Sequence, residues 1–229
     1  MKSTALLLAL ASPLAAASSA TIQTKRAKAD FPLTADPNAA HWKKALAVKA
    51  QIDPFGKPAG PHTFEFRTLW TPSHLYFLFT CPYQSLNLKA NPSTASETNR
   101  LWEWDVTEVF IGSDPSNIHR YKELQVSPQG EWVDLDIDRK NPKPEGGWKW
   151  DSGMTVKARV DAERKIWYGE MKIPMKALDS RAAKAGSEFR INVYRLSGVA
   201  PARVSTMWVP TMNRSHHTPE AFGRLVLAK

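Results

Sequence analysis

The sequence predicts an all-β fold, an antiparallel β-sandwich with a few short helices, and three observations carry that prediction. From His62 onward apolar residues recur with a period of two, as in Phe64 and Phe66 set against Glu65 and Arg67. The runs are short, and clusters such as Thr71-Pro72-Ser73 and Ser127-Pro128-Gln129-Gly130 separate them. One segment alone, Ala39 to Leu46, reads as a good helix. Many short alternating strands with few helices indicate a sandwich or barrel.

Each element follows in chain order. Met1-Lys2, a Leu/Ala-rich run from Ala5 to Ala17 broken by Pro13, and then Ser18-Ser19-Ala20 have the layout of a signal peptide over residues 1–20. The apolar run is shorter than the roughly 20 residues a membrane-spanning helix needs. Residues 21–35 are polar and aperiodic and are expected to form a flexible lead-in. A single domain is expected over residues 36–229, beginning with the helix from Ala39 to Leu46, capped by Asn38. Strands are then expected around Phe64 and Phe66, around Leu75, Phe77 and Phe79, and at Val106 to Ile111, Tyr121 to Val126 and Trp132 to Ile137. Further strands fit Thr155 to Val160, Ile166 to Ile173, Phe189 to Leu196, and Arg224 to Leu227. The patch from Asn141 to Gly147 is expected to be an exposed loop.

Composition narrows the function. The net charge of +9 raises the question of nucleic acid. The Lys and Arg residues are scattered, with no dense basic run and no recognised nucleic-acid motif, so the charge is assigned to solubility and attraction to acidic polymers. Cys81 is the only cysteine, which excludes an internal disulfide and suits a buried small hydrophobe.

The candidate chemistry is sparse. Asp134, Asp136 and Asp138 alternate with Val133, Leu135 and Ile137, so the three carboxylates share one strand face. Such a row suits a solvated sheet face, the preferred reading, and leaves room for a structural calcium. Asp105 and Glu108 lie three apart on a strand and face opposite sides, which argues against a glycosidase carboxylate pair. Nucleophile elbow, zinc signature and phosphate-binding glycine loop are all missing. His216-His217 raises the question of a metal, but adjacent side chains are expected to diverge. Nine tryptophans stand out. Trp42, Trp70 and Trp167 fall on amphipathic segments and are assigned to the core. At least one of Trp102 and Trp104 is expected at a pocket mouth, where a flat ring packs on the CH face of a sugar. Trp148 and Trp150 frame a Gly-rich loop and stay open between core and site.

The stretch Leu101-Trp102-Glu103-Trp104-Asp105-Val106-Thr107-Glu108-Val109-Phe110-Ile111-Gly112 resembles the signature segment of family 9 carbohydrate-binding modules, relatives of DOMON-like and immunoglobulin-like jelly-roll sandwiches. Ala40-His41-Trp42, Leu69-Trp70, Trp167-Tyr168-Gly169-Glu170, Trp208 and Pro219-Glu220-Ala221-Phe222-Gly223 agree with it in order. The resemblance implies a module that grips a sugar or glycan end between aromatic rings and performs no reaction. Carried over, it makes Trp102 a stacking ring, Glu108 a carboxylate accepting sugar hydroxyls, and Asn213 the polar residue of the C-terminal loop. His216 stands where the family places a second stacking Trp, and Gln125 where it places an Arg. Glu108 has an alternative reading as a structural partner of Arg195 or Arg190.

The leading expectation is therefore a secreted, periplasmic or extracellular, non-catalytic carbohydrate-binding protein. It would support carbohydrate catabolism beside separate glycan-degrading enzymes, with no nucleic acid, no membrane span and no cofactor beyond that calcium. The alternatives are a haem-binding DOMON-like sandwich using His216 or His217 with Met212, a glycoside hydrolase or hydrolase-associated protein, and a structural envelope protein whose sugar site has decayed.

Overall fold

The computed structural model describes residues 20–141 and 147–229. The expected signal peptide, save Ala20, and residues 142–146 of the expected exposed loop lie outside the described residues. Twelve strands run in chain order: β1 (Thr21–Arg26), β2 (Ala47–Ala50), β3 (Phe64–Trp70), β4 (His74–Pro82), β5 (Val106–Gly112), β6 (Arg120–Val126), β7 (Trp132–Asp138), β8 (Thr155–Asp161), β9 (Ile166–Pro174), β10 (Glu188–Ser197), β11 (Val204–Met207) and β12 (Gly223–Leu227). One α-helical turn, α1 (Met175–Leu178), and four 3-10 turns complete the elements.

The strands form a continuous sheet folded over on itself, in the order β7-β6-β5-β10-β12-β1-β3-β4-β9-β8, with β11 beside β10 and β2 beside β3. The fold at the middle is β1. Thr21 to Thr24 pair with β12, while Lys25 and Arg26 pair with β3. The two leaves thus share one strand.

That strand corrects two expectations. Both of its pairings are parallel, so the sheet is mixed rather than antiparallel. A polar sequence also hides the strand: Thr24 is fully buried and Ile22 nearly so, yet the other four positions are exposed polar residues without an apolar period. The rest of the expected lead-in is pinned as well, since Phe31 and Ala35 are buried. A third correction concerns the helix at Ala39 to Leu46. Only Trp42–Lys44 turn, as a 3-10 helix, and the residue at its N-cap position is His41, with no capping side chain. Trp42 is fully buried, so packing of that one ring overrides the helical propensity of the alanines.

Between the leaves lies the main core. Phe64, Phe66 and Trp70 of β3 and Phe77 and Phe79 of β4 meet Val109, Ile111, Leu124 and Val193 of the opposite leaf. Each such ring contributes roughly 1.5–3 kcal/mol by burial, so this layer dominates stability. Cys81 lies in the same core as a free thiol, its pKa pushed up to about 12 by burial. Gly169 marks a close approach of the leaves. A Cβ there would come 2.9 Å from the Trp167 ring and 3.0 Å from Val126.

Because side chains alternate along a strand, every core residue implies an outward neighbour. On β5, β6 and β10 the outward residues are Glu108 and Phe110, Tyr121, Glu123 and Gln125, and Asn192 and Tyr194. Phe110, Tyr121 and Tyr194 form part of a second, smaller cluster. On the other leaf Trp42, Leu69, Tyr76 and Leu78 build a third.

Candidate ligand-binding site

The second cluster floors a cavity of about 990 Å³ on the outer face of the β5/β6/β7/β10 leaf. Register fixes which side chains meet there. Glu108 stands opposite Gln125 on one side and Tyr194 on the other, and Phe110 stands opposite Glu123. Two carboxylates on neighbouring strands thereby come to one floor, both nearly inaccessible, at 2% exposure for Glu108 and 4% for Glu123. Burial first, and then the Glu108 charge, push Glu123 well above the ordinary carboxylate range, partly offset by the hydrogen bond from Gln125.

The wall beside this floor is the loop between β11 and β12. Asn192 ties it down, donating from Nδ2 to the Val209 carbonyl at 2.8 Å and accepting from the Val209 N–H at 3.1 Å. The Tyr194 hydroxyl donates to the His216 carbonyl at 3.0 Å, and Arg190 donates to that of Pro219. Both adjacent histidines consequently reach the cavity, contrary to the expectation that they diverge. His216 Nδ1 lies 3.5 Å from Glu108 and His217 Nε2 lies 3.9 Å from Glu123. Desolvation lowers the pKa of His217 to about 4, so the ring is neutral at pH 7. Its Nδ1 is 2.7 Å from the Tyr121 hydroxyl. With that hydroxyl donating, the Nε2 proton is directed to the Glu123 side.

Opposite stands Trp102 on the 3-10 turn Leu101–Glu103, entered through Arg100 in the left-handed region at φ 62°. One guanidinium holds the turn. Arg203 donates to the carbonyls of Trp102, of Trp104 at 2.7 Å, and of Glu103 and Gly198 at 2.9 Å each. Asn87 adds donations to Glu103 at 3.1 Å and Gly198 at 3.2 Å. Trp102 is half-buried, with its ring against the cavity. Trp148 is a second half-buried indole on the wall.

Of the residues expected from the sequence, Trp102, Glu108 and His216 line this cavity. His216 is not free to stack on both faces, because its ring lies on Tyr194 at 4.7 Å and 10°, with Nε2 2.6 Å from the Ser205 hydroxyl. Gln125 is fully buried beneath the floor and donates to Glu123 at 2.5 Å. It acts through that carboxylate. Asn213 is outside the cavity lining; its side chain accepts from the Ser215 N–H at 3.0 Å and builds the loop's turn. Glu108 does not pair with Arg195, which points into the core side of β10, nor with Arg190, which serves Pro219. Met212 is 67% exposed, on the surface rather than paired with a histidine at a haem.

Sequence reasoning missed Glu123 and Arg203, left Trp148 open between core and site, and weighed His217 only as a metal or haem ligand. The first had a signal: Glu123 and Gln125 alternate on the same face as the already suspected Glu108. Arg203 had none, since its partners are backbone carbonyls.

The carboxylate row also resolves differently from expectation. Asp134 is buried rather than solvated and accepts from the Ser152 hydroxyl at 2.6 Å, while Asp136 pairs with Arg120 and Lys122 at 2.8 Å each. The carboxylates that converge are Glu97, Asp134 and Asp151, each with an oxygen within 4.8 Å of the others.

Comparison with known proteins gives a consistent result. A family model described as carbohydrate family 9 binding domain-like matches residues 36–229. A candidate carbohydrate-binding protein from Bacteroides uniformis superposes with a TM-score of 0.68 at 15% identity, covering 92% of this chain and 100% of its own. A family 9 carbohydrate-binding module from Caldicellulosiruptor kristjanssonii in complex with cellotriose superposes at 0.65 with 13% identity, covering 91% of this chain and 94% of that one. A module of the same family and organism in complex with glucose gives 0.65 at 12% identity, over 92% and 97%. At these identities the likeness is one of fold. No curated protein sequence matches the chain significantly.

Proposed function

The chain belongs to the carbohydrate family 9 binding domain-like family, and from that premise we propose that it is a secreted protein that holds a sugar or glycan end against Trp102. The family is one of non-catalytic binding modules. The observation that carries the reading is the juxtaposition, in one cavity of about 990 Å³, of a half-buried indole and two buried carboxylates short of hydrogen-bond donors. A pyranose offers what each lacks. Its CH face suits the Trp102 ring, and its hydroxyls are donors for the carboxyl oxygens of Glu108 and Glu123. Trp148, rather than His216, is the second aromatic available to a sugar ring. The cellotriose and glucose held by the two modules of similar fold agree with a ligand of this class.

Secretion rests on the N-terminal layout of residues 1–20, and no helix among the described residues is long and apolar enough to cross a membrane. In this reading the protein delivers or retains glycan fragments for separate degrading enzymes.

Intrinsic tryptophan fluorescence with a panel of mono- and oligosaccharides tests it. A saturable change with one sugar class is expected, weakened on the order of tenfold to a hundredfold in Trp102→Ala. A folded protein that answers to no sugar, or a Trp102→Ala variant that binds unchanged, refutes the assignment.

A further inference from the structure

Charge around the cavity is divided by depth. Among the described residues its only acidic lining groups, Glu108 and Glu123, are buried in the floor, each faced by a histidine. Its cations among the described residues, Arg100, Lys149 and Arg214, are all exposed. Arg100 is compensated by an ion pair with Glu103. Lys149 and Arg214 have no carboxylate within ion-pair distance among the described residues. They come from different parts of the chain, Lys149 from the segment that bridges back to Leu135 and Arg214 from the loop carrying the histidines. An arginine and a lysine that line one cavity without an internal partner are available to an external anion.

We propose that the cavity selects sugars bearing an anionic substituent, a carboxylate or a sulfate, with the hydroxylated ring on the floor and the charge outward between Arg214 and Lys149. The inference rests on the carbohydrate reading of the same cavity and adds its ligand class. A neutral sugar would fill the floor and leave the exposed cations solvated. A uniformly anionic ligand would meet the floor carboxylates. Only a ligand polarised in this way, neutral and hydroxylated at one end and charged at the other, matches both layers.

Calorimetric titration of the whole mature protein with glucose, glucuronate and glucose 6-sulfate, in low salt and in 0.5 M salt, tests the proposal. The expected result is a preference for either anionic sugar over glucose of roughly threefold to tenfold at low salt, the gain of one or two exposed ion pairs. That ratio falls toward one in high salt, where screening shortens to a few ångströms. It falls likewise in the double variant Arg214→Ala with Lys149→Ala. Glucose bound as tightly as both anionic sugars, or more tightly, overturns the inference and leaves the carbohydrate reading standing. An anionic preference that survives the double variant overturns the assignment to these two residues. Binding of none of the three, in folded protein, overturns both readings together.

Discussion

The two leaves carry buried glutamates on their outer faces in opposite states. Glu170 on β9 is fully inaccessible and saturated: it accepts from the Thr34 N–H at 2.7 Å, the Ala35 N–H at 2.6 Å and the Trp42 indole N–H at 2.9 Å. Glu108 on β5 has no hydrogen bond among the described residues, and its one ion-pair contact there is His216, at 3.5 Å. Glu123 on β6 accepts one, from Gln125. The surroundings are alike in composition, each carboxylate lying beside a small aromatic cluster away from the main core. Donor count separates them. A saturated carboxylate has nothing left to offer a ligand and works as a rivet, here fastening residues 34–42 to the leaf. An unsaturated one keeps lone pairs directed at a cavity. Since burial without partners is costly, the second arrangement signals a site where the missing donors come from outside.

Removing the rivet gives the largest expected effect. Glu170→Ala would leave three N–H donors, two buried and one partly buried, without an acceptor, at about 1–3 kcal/mol each, and a loss of about 3–5 kcal/mol in urea unfolding is expected after partial relaxation. Glu170→Gln, which keeps one acceptor oxygen, should lose distinctly less. Sugar affinity of either folded variant should match wild type, because the cavity is on the other leaf. An Ala variant as stable as wild type would erase the distinction between the two kinds of carboxylate.

Acid probes the open face next. His217 titrates near 4 in the folded protein against an ordinary 6.5, because burial disfavours its charged form. The unfolded chain therefore takes up this proton first as pH falls. The stabilisation is complete above about pH 6.5 and is lost between there and about pH 4, its size reduced by solvent screening because the side chain is 39% exposed. Glu123, shifted upward, works in the opposite direction, since the folded protein takes its proton before the unfolded chain does. Comparing unfolding free energies at pH 7 and pH 4.5 isolates the histidine: His217→Gln should lose less stability across that interval than wild type. An identical slope in the two proteins would show that the ring is not held neutral.

Much of this architecture was legible in the sequence, and the exceptions share a cause. Nine strands announce themselves through apolar alternation, because a strand between a core and an outer face carries the period of its burial. β1, β2 and β11 do not. β1 alternates Ile22 and Thr24 against polar residues, β2 buries only Ala50, and β11 is four residues long. Their positions are set by pairing with neighbours distant in sequence. Of the residues lining the cavity, Trp102 and Glu108 lie in one contiguous motif. Trp148, His217 and Arg203 reach the cavity or its turn through loops whose path no local pattern encodes. Gln125 was placed on the correct face, and only the structure distinguishes a residue in the cavity from one beneath it.

The mildest substitution is the sharpest test of the comparison. Glu123→Gln keeps the size of the side chain and removes the charge that Glu108 and burial both oppose. In the unliganded protein at pH 7 the change should be neutral or stabilising, within about 1 kcal/mol, since no buried cation loses its partner. Sugar binding should nevertheless weaken, because an amide cannot reproduce the acceptor pattern of a carboxyl group and would compete with Gln125 for orientation. Stability retained with affinity lost is the signature of a group kept for a ligand, the reverse of Glu170, where stability falls and affinity stays. Were Glu123→Gln instead to destabilise the fold by several kcal/mol, Glu123 would be a rivet like Glu170, with a donor set of its own inside the protein. The reading of the cavity would then rest on Glu108 and Trp102 alone.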